Sequence, residues 1–340
     1  MPALKLSVEV ERLEFAAPFR IAGFLFDYQD AVVVTLEDGG QRGRGEACGV
    51  YYLDDDAPRM VAAVESHRQR IEGGIDRTAL QQLLPPGGAR NALDCALWEL
   101  EARRSGKPVW ELAGLDPPQP LVTTFTLGAD EPSVMAQGAR NFAQAQALKV
   151  KLTGELELDV ARVKAVRAAR PQVWLGVDAN QGYTRATLDR LISALVEQNV
   201  AQLEQPLARG RESDLEGFHS PIPLVADESA LGLADVPGLR GRFNMVNIKL
   251  DKCGGLTEGL AMAREAHRLG LGVMVGNMMG SSLAMAPSFV LGQLCDVVDL
   301  DGPTFLKRDR TPAVTYSQGM IWADEAIWGR QPQSSGLAAR

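Results

Sequence analysis

The stretch Leu148-Lys149-Val150-Lys151-Leu152 and its four echoes decide the fold: Gly176-Val177-Asp178-Ala179-Asn180, Leu203-Glu204-Gln205-Pro206, Val225-Ala226-Asp227-Glu228-Ser229 and Asn247-Ile248-Lys249-Leu250-Asp251. Each is a short apolar run that ends in charge. Lys151, Asp178, Glu204, Asp227 and Lys249 recur at about 25 residues per step, the length of one βα unit. Working outward, strands are expected over Leu121–Leu127, Ala147–Leu152, Val173–Ala179, Gln202–Glu204, Leu224–Asp227, Met245–Leu250, Gly272–Val275 and Val297–Leu300. Amphipathic segments such as Glu155–Arg170, Thr184–Asn199 and Thr257–Leu269 lie between them. Eight strands joined by crossovers imply a parallel sheet, and eight close naturally into a TIM-type α/β barrel. An open doubly wound sheet is the alternative, but no GxGxxG follows the first strand, so a dinucleotide-binding version has no support.

Before Pro120 the pattern differs. Two strand patterns, near Lys5–Phe15 and Ala31–Glu37, precede a turn signal at Asp38–Gly40. Helical periodicity follows over Ala57–Ile71 and Ala89–Arg104, where Leu93, Ala96, Leu97 and Leu100 form one apolar face. The turn-rich Leu112–Pro120 marks the boundary. Residues 1–118 are therefore expected to form an α+β capping domain, completed by the C-terminal tail at about 310–340. Residues 119–309 form the barrel.

The 340 residues carry 35 Lys+Arg against 43 Asp+Glu, a formal net charge of −8. That acidity argues against a nucleic-acid binder, and no apolar run is long enough for a membrane span. The N-terminus lacks the pattern of a signal peptide, and Cys48, Cys95, Cys253 and Cys295 show no CxxC spacing. Both features point to a cytoplasmic protein.

In a parallel barrel the carboxyl ends of the strands hold the active site, and the charged residues fall there. Three carboxylates on successive strands, Asp178, Glu204 and Asp227, suit a hard divalent cation that prefers oxygen ligands. Without a cation they would repel and raise one another's pKa. On its own Asp178 reads equally as a helix cap, since DAN before a helix is a normal capping sequence. His67, His219 and His267 show no ligand spacing for zinc.

Lys149 and Lys151 share a face of their strand, and Lys249 sits four strands on, across the mouth. A partly desolvated lysine beside a metal has a lowered pKa that suits a general base. Two such bases on opposite sides of one carbon can remove a proton from one face and return it to the other. Lys252 reads as a solvated lysine near a loop start. Asp299 and Asp301 also share a face, as an extension of the metal site or a receptor for an ammonium group, whereas Asp301 alone could simply begin the DGP turn. The acid run Asp54–Asp56 reads as a solvated loop, and Met278–Met279 as a wall.

Taken together, KVK at 149–151, VDANQG at 177–182, EQP at 204–206, ADES at 226–229 and NIKLDKCGG at 247–255 resemble the enolase superfamily, muconate-lactonising subgroup. The resemblance implies a capping domain on a (β/α)7β barrel. It also implies one Mg2+ per subunit on Asp178, Glu204 and Asp227, with Lys151 and Lys249 as bases and Lys149 supporting the oxygen of an enediolate. VDLDGP at 298–303 resembles the dipeptide-epimerase signature, in which the aspartate pair, here Asp299 and Asp301, holds the α-ammonium of a dipeptide. Thr126, Phe24 and Met278 complete the substrate contacts expected on that basis.

A glutamate common at the seventh strand end of related racemases and cycloisomerases is replaced by GNMMGSS (276–282). That weakens the readings as N-acylamino acid racemase, o-succinylbenzoate synthase or muconate cycloisomerase. A non-catalytic metal-dependent binding protein is the most distant alternative. PFRIA (18–22) resembles Ala–Glu epimerases, which then carry arginine where the acidic side chain binds; here Phe24 and Phe26 stand near that position, with Asp27 and Asp30 after them. A phenylalanine cannot neutralise a buried glutamate. The expected C-terminal residue of the dipeptide is thus apolar, or cationic if Asp27, Asp30 or Asp54–Asp56 reach it. The sequence leaves the formation of a homo-oligomer open.

Overall fold

The computed structural model describes residues 3–21 and 24–330, and the side chains of Arg20, Ile21 and Phe24 lie outside what it describes. Strand β1 (Lys5–Ile21) pairs antiparallel with β2 (Phe24–Asp38), which pairs antiparallel with β3 (Gln41–Ala47). The β1–β2 register slips between Glu14 and Phe19, a bulge that re-aims the far end of the hairpin. Gly39 and Gly40, at φ +54° and +89°, make the two-residue turn into β3 that the sequence signals at Asp38–Gly40. β3 itself, QRGRGEA, has weak strand propensity and is not anticipated. Its two glycines explain it: a Cβ at Gly43 or Gly45 would fall 2.0 Å from Ala96 O or Ala92 O of the helix Gly88–Ser105. The strand is held by that close approach rather than by its own side chains.

The helix Gly88–Ser105 is buried nearly all round. One side packs Leu93, Ala96, Leu97 and Leu100 against Leu6, Val34 and Leu36 of the cap sheet. The other sends Cys95, Trp98 and Ala102 into the barrel core. Its buried polar groups are spent on the junction: Asp94 Oδ2 accepts from Thr257 N at 2.9 Å, and Arg90 donates to Cys253 O and Gly254 O. The helix expected over Ala57–Ile71 is two helices, Ala57–Ser66 and Arg68–Glu72, broken at His67, and a further helix covers Arg77–Leu83.

A two-residue strand β4 (Leu121–Val122) leads into an eight-stranded parallel sheet. Its members are β5 (Thr124–Leu127), β6 (Ala147–Lys151), β7 (Trp174–Asp178), β8 (Gln202–Glu204), β9 (Leu224–Ala226), β10 (Met245–Ile248), β11 (Gly272–Val275) and β12 (Val297–Val298), hydrogen bonded in sequential order. The barrel is nearly closed, and side chains bridge first and last strands: Thr123 Oγ1 accepts from Leu300 N at 2.9 Å, and Asp301 Oδ2 accepts from Thr126 N at 2.6 Å. This is the expected barrel with its cap. The tail forms β13 (Thr315–Ser317) and β14 (Met320–Trp322), a hairpin whose second strand pairs with β4, and then reaches the cap, where Ile327 O accepts from Arg44 at 2.6 Å. Residues 331–340 lie outside the described chain. No helix among the described residues is long and apolar enough to cross a membrane.

Candidate active site

Register puts the charged residues in line. Lys151 is paired with Asp178 across β6–β7, and Asp178 with Glu204 across β7–β8. Asp227 and Lys249 each follow directly on the end of their own strand, β9 and β10. Asp178 and Glu204 are fully buried and Asp227 is 1% exposed, and each offers an oxygen such that all three atoms lie within 4.8 Å of one another. Asp178 does not cap a helix end, for the helix Arg185–Glu197 is capped by Thr184.

Ammonium groups flank this row. Lys151 Nζ donates to Asp178 Oδ2 at 2.6 Å, at one end. Lys249 Nζ donates to Asp227 Oδ2 at 2.7 Å, at the other. Between them Lys149 Nζ donates to Glu204 Oε2 at 3.3 Å and to Asp299. Burial pulls the Lys249 ammonium down, but Asp227, Glu204, Asp178 and Glu228 outweigh it and hold its pKa well above the usual lysine value; Lys149 is likewise raised, by Asp299, Glu204 and Asp178 against burial. For Lys249, the lowered base pKa expected from sequence is thus not a property of the protein groups alone, because the acidic row dominates it.

Lys252 corrects the expectation of a solvated side chain. Its side chain has no exposed surface and donates to Asp227 Oδ1 and Asp227 O, both at 2.5 Å, and to Asn247 O at 3.0 Å. The chain turns into the helix Leu250–Cys253 directly after Lys249, so a lysine three residues on returns to the same side. Asp227 carries two ammonium partners, which outweigh burial and push its pKa far down. Asn247 was also missed, and its Nδ2 donates to Glu204 Oε1 at 2.7 Å.

The donor set fits a hard divalent cation. Burial and the neighbouring Asp178 charge push Glu204 up to about 7, against Lys149, which is the repulsion a cation would relieve. Counting the buried ionisable groups of the mouth, six carboxyls (Asp178, Glu204, Asp227, Glu228, Asp299, Asp301) face four lysines (149, 151, 249, 252). Fully ionised, they leave two negative charges, which a divalent ion balances.

Beyond the row, Asp299 accepts from Lys149 and Thr124, and these bonds lower its pKa despite burial. Asp301 accepts from the Thr126 N–H at 2.6 Å, and burial with the adjacent Asp299 charge lifts it to about 7. The two are therefore unequal: Asp299 is bound into the barrel, and Asp301 is the carboxyl able to take another cation. Over the row lies a cleft of about 690 Å3, open to solvent. Thr126, Met278, Asn277 and the acid–lysine groups line its barrel side; Phe19, Phe26, Gln29, Tyr51 and Tyr52 line its cap side. The Tyr52 hydroxyl and Glu228 Oε2 are buried there without a hydrogen-bond partner.

Some expected contacts are not brought in. The Phe24 side chain lies outside the described residues. None of Asp27, Asp30 and Asp54–Asp56 lines the cleft. Asp30 pairs with Arg12 at 3.0 Å, Asp55 accepts from Gly88 N at 2.7 Å, and Asp56 caps the helix Ala57–Ser66. The cap-side aromatics were mostly missed because they sit on loops and a hairpin end, where no periodicity marks them.

A capped barrel with an acidic triad between lysines defines the class, and the known families agree. Residues 4–114 match the mandelate racemase/muconate lactonizing enzyme N-terminal domain, and residues 134–326 match the enolase C-terminal domain-like family. The chain belongs to this branch of the enolase superfamily. It is 42% identical over 308 residues to the L-Ala-D/L-Glu epimerase of Escherichia coli K12, covering 89% of this chain and 95% of that one. An enolase family member from Agrobacterium tumefaciens with homology to dipeptide epimerases, solved with sodium and L-Ala-L-Glu, superposes with a TM-score of 0.91 at 38% identity, covering 96% of this chain and all of that one. A dipeptide epimerase from Methylococcus capsulatus, complexed with Mg and L-Arg-D-Lys, gives 0.88 at 29% identity, over 94% and 97% of the chains.

Proposed function

We propose that the protein is a Mg2+-dependent dipeptide epimerase that inverts the α-carbon of the C-terminal residue by two-base 1,1-proton transfer. The observation that carries this is the placement of Lys151 and Lys249 at opposite ends of one acidic row, each in contact with its end carboxylate. The liganded relatives, an epimerase with Mg and a dipeptide among them, support it.

Asp178, Glu204 and Asp227 would hold the ion. When bound, Mg2+ supplies positive charge to the substrate carboxylate and so lowers the cost of removing the adjacent α-proton. One lysine, as the free amine, takes that proton from one face; the other, as the ammonium, delivers a proton to the opposite face. With the row's negative charge balanced, burial is what remains to lower the pKa of Lys249 toward the working range. Lys149, bonded to Glu204 and Asp299, places a fixed ammonium beside the carboxylate oxygen as charge builds there. Asp301, lifted to about 7 and facing the cleft, receives the α-ammonium of the N-terminal residue. Thr126 fixes Asp301 through its N–H, and Met278 lines the apolar wall.

The C-terminal side chain meets Phe26 and Tyr51, and no arginine is among the described residues that line the cleft. An apolar side chain fits this wall better than an acidic one, which would be buried without a free counter-charge. Of the acids expected to favour a cationic residue, Asp30, Asp55 and Asp56 are engaged elsewhere, and none of the five lines the cleft. The test is a dipeptide library incubated with the protein and Mg2+ in D2O. Dipeptides with apolar C-terminal residues should gain the mass of one deuterium, and a library without exchange would refute the epimerase reading.

A further inference from the structure

Beside the cleft lies a second, mostly apolar cavity of about 820 Å3, partly open to solvent and walled by Leu127, Met135 and Phe142. The two cavities share three lining residues: Phe19, Thr126 and Phe305. The rings of Phe19 and Phe305 meet edge to face, with centroids 4.8 Å apart and planes at 63°. Phe19 is buried, anchored in a small cluster with Leu13, Phe15 and Leu306. Phe305 ends the 3-10 turn Gly302–Phe305, which begins directly after Asp301 and is tied to it by Thr304 N donating to Asp301 O at 2.9 Å. The partition between the cavities is therefore built onto the same residues that would hold the ammonium.

We infer that the Phe19–Phe305 pair sets the size of the substrate's N-terminal residue, admitting a small side chain and shutting larger ones out of the apolar space behind it. The inference rests on the proposed dipeptide activity. An ammonium at Asp301 puts the N-terminal α-carbon one bond away, so its side chain starts beside Thr126, Phe305 and Phe19. An alanine methyl fits against that aromatic wall. A leucine or phenylalanine side chain needs the volume on the far side, lined by the same kind of apolar groups it would bring.

The test compares dipeptides that share one C-terminal residue, the best from the library, and differ at the N-terminus as Ala or Leu. Both binding (calorimetry with Mg2+ present) and α-deuterium exchange are measured for wild type, Phe305→Ala and Phe305→Leu. The wild type should prefer the alanyl dipeptide, and Phe305→Ala should shift the Leu-to-Ala ratio by about tenfold or more. Phe305→Leu, which keeps an apolar group in place, should fall between and carries the test if the alanine variant does not fold. A ratio unchanged in the folded variants overturns the inference. Because binding is read separately, a shifted binding ratio without exchange in any protein would support the partition while refuting the epimerase reading.

Discussion

The two walls of the cleft are made in opposite ways. The barrel wall is a row of buried charges on strand ends, each carboxylate held by one or more short bonds: Asp178 by Lys151, Glu204 by Asn247, Asp227 by Lys249 and Lys252. The cap wall is aromatic, carried on a hairpin end and on the turn at Tyr51–Leu53, and it is fixed by packing and a few backbone bonds. On the proposed function the strand-borne wall sets what reaction is possible, because reacting groups must be placed closely and kept dry. On the same reading, the loop-borne wall sets which side chains enter. Breaking the first should abolish chemistry, whereas breaking the second should change affinity and preference.

The largest effect is expected at the centre of the charged row. Glu204→Gln should lower kcat/KM by about 10³-fold and abolish calorimetric Mg2+ binding, since on the proposed function it removes a ligand whose charge burial already disfavours. Retained Mg2+ affinity would show that the triad is not the site. Asp301→Asn should come next, raising KM for dipeptides by about 10- to 100-fold with a smaller change in kcat. Unchanged kinetics would point to an N-acylated substrate with no ammonium to hold.

The junction between the walls gives a smaller effect. Asp251, two residues beyond Lys249, accepts at a single oxygen from Cys48 N (2.8 Å) and Gly49 N (3.0 Å), just before the Tyr51–Tyr52 segment of the cap wall. Asp251→Ala should raise KM about five- to tenfold, while Asp251→Asn, which keeps an accepting oxygen, should restore it. Equal kinetics for the two variants would remove the junction from the account.

The smallest effect is on stability. Burial lifts Asp251 to about 7, against the N–H bonds of Gly49 and Cys48. An acid raised in the fold contributes its stability below its ordinary value near 4, and loses it as pH rises through about 7. Asp251→Asn should therefore gain roughly 2–4 kcal/mol on wild type at pH 8 and nothing at pH 4, read as Tm against pH. A gain that does not depend on pH would contradict the burial argument.

The same contrast explains what could be read from the chain. The barrel row was legible because strand periodicity and the repeat of one βα unit place Lys151, Asp178, Glu204, Asp227 and Lys249 at one height without knowledge of any long-range contact. Lys252 was not, because the helical turn that brings it back begins inside the motif; two lysines three residues apart around Leu250–Asp251 was the available signal. β3 was hidden because its glycines answer to a helix packed on it, a tertiary demand with no local pattern. Phe19, Tyr51 and Phe305 were silent for the same reason: they converge from the hairpin end, the turn at Tyr51–Leu53 and the turn after β12, and only the assembled cap and barrel bring them together.

The claim on which the whole account turns is that two amines work on opposite faces of one carbon. It is tested by giving Lys151→Ala and Lys249→Ala, each with Mg2+ in D2O, the L,L and L,D forms of the best dipeptide separately. The account predicts that neither variant epimerises and that each exchanges the α-hydrogen of one diastereomer only, the opposite one in each case. Full epimerisation by either variant, or loss of the same diastereomer in both, would contradict it.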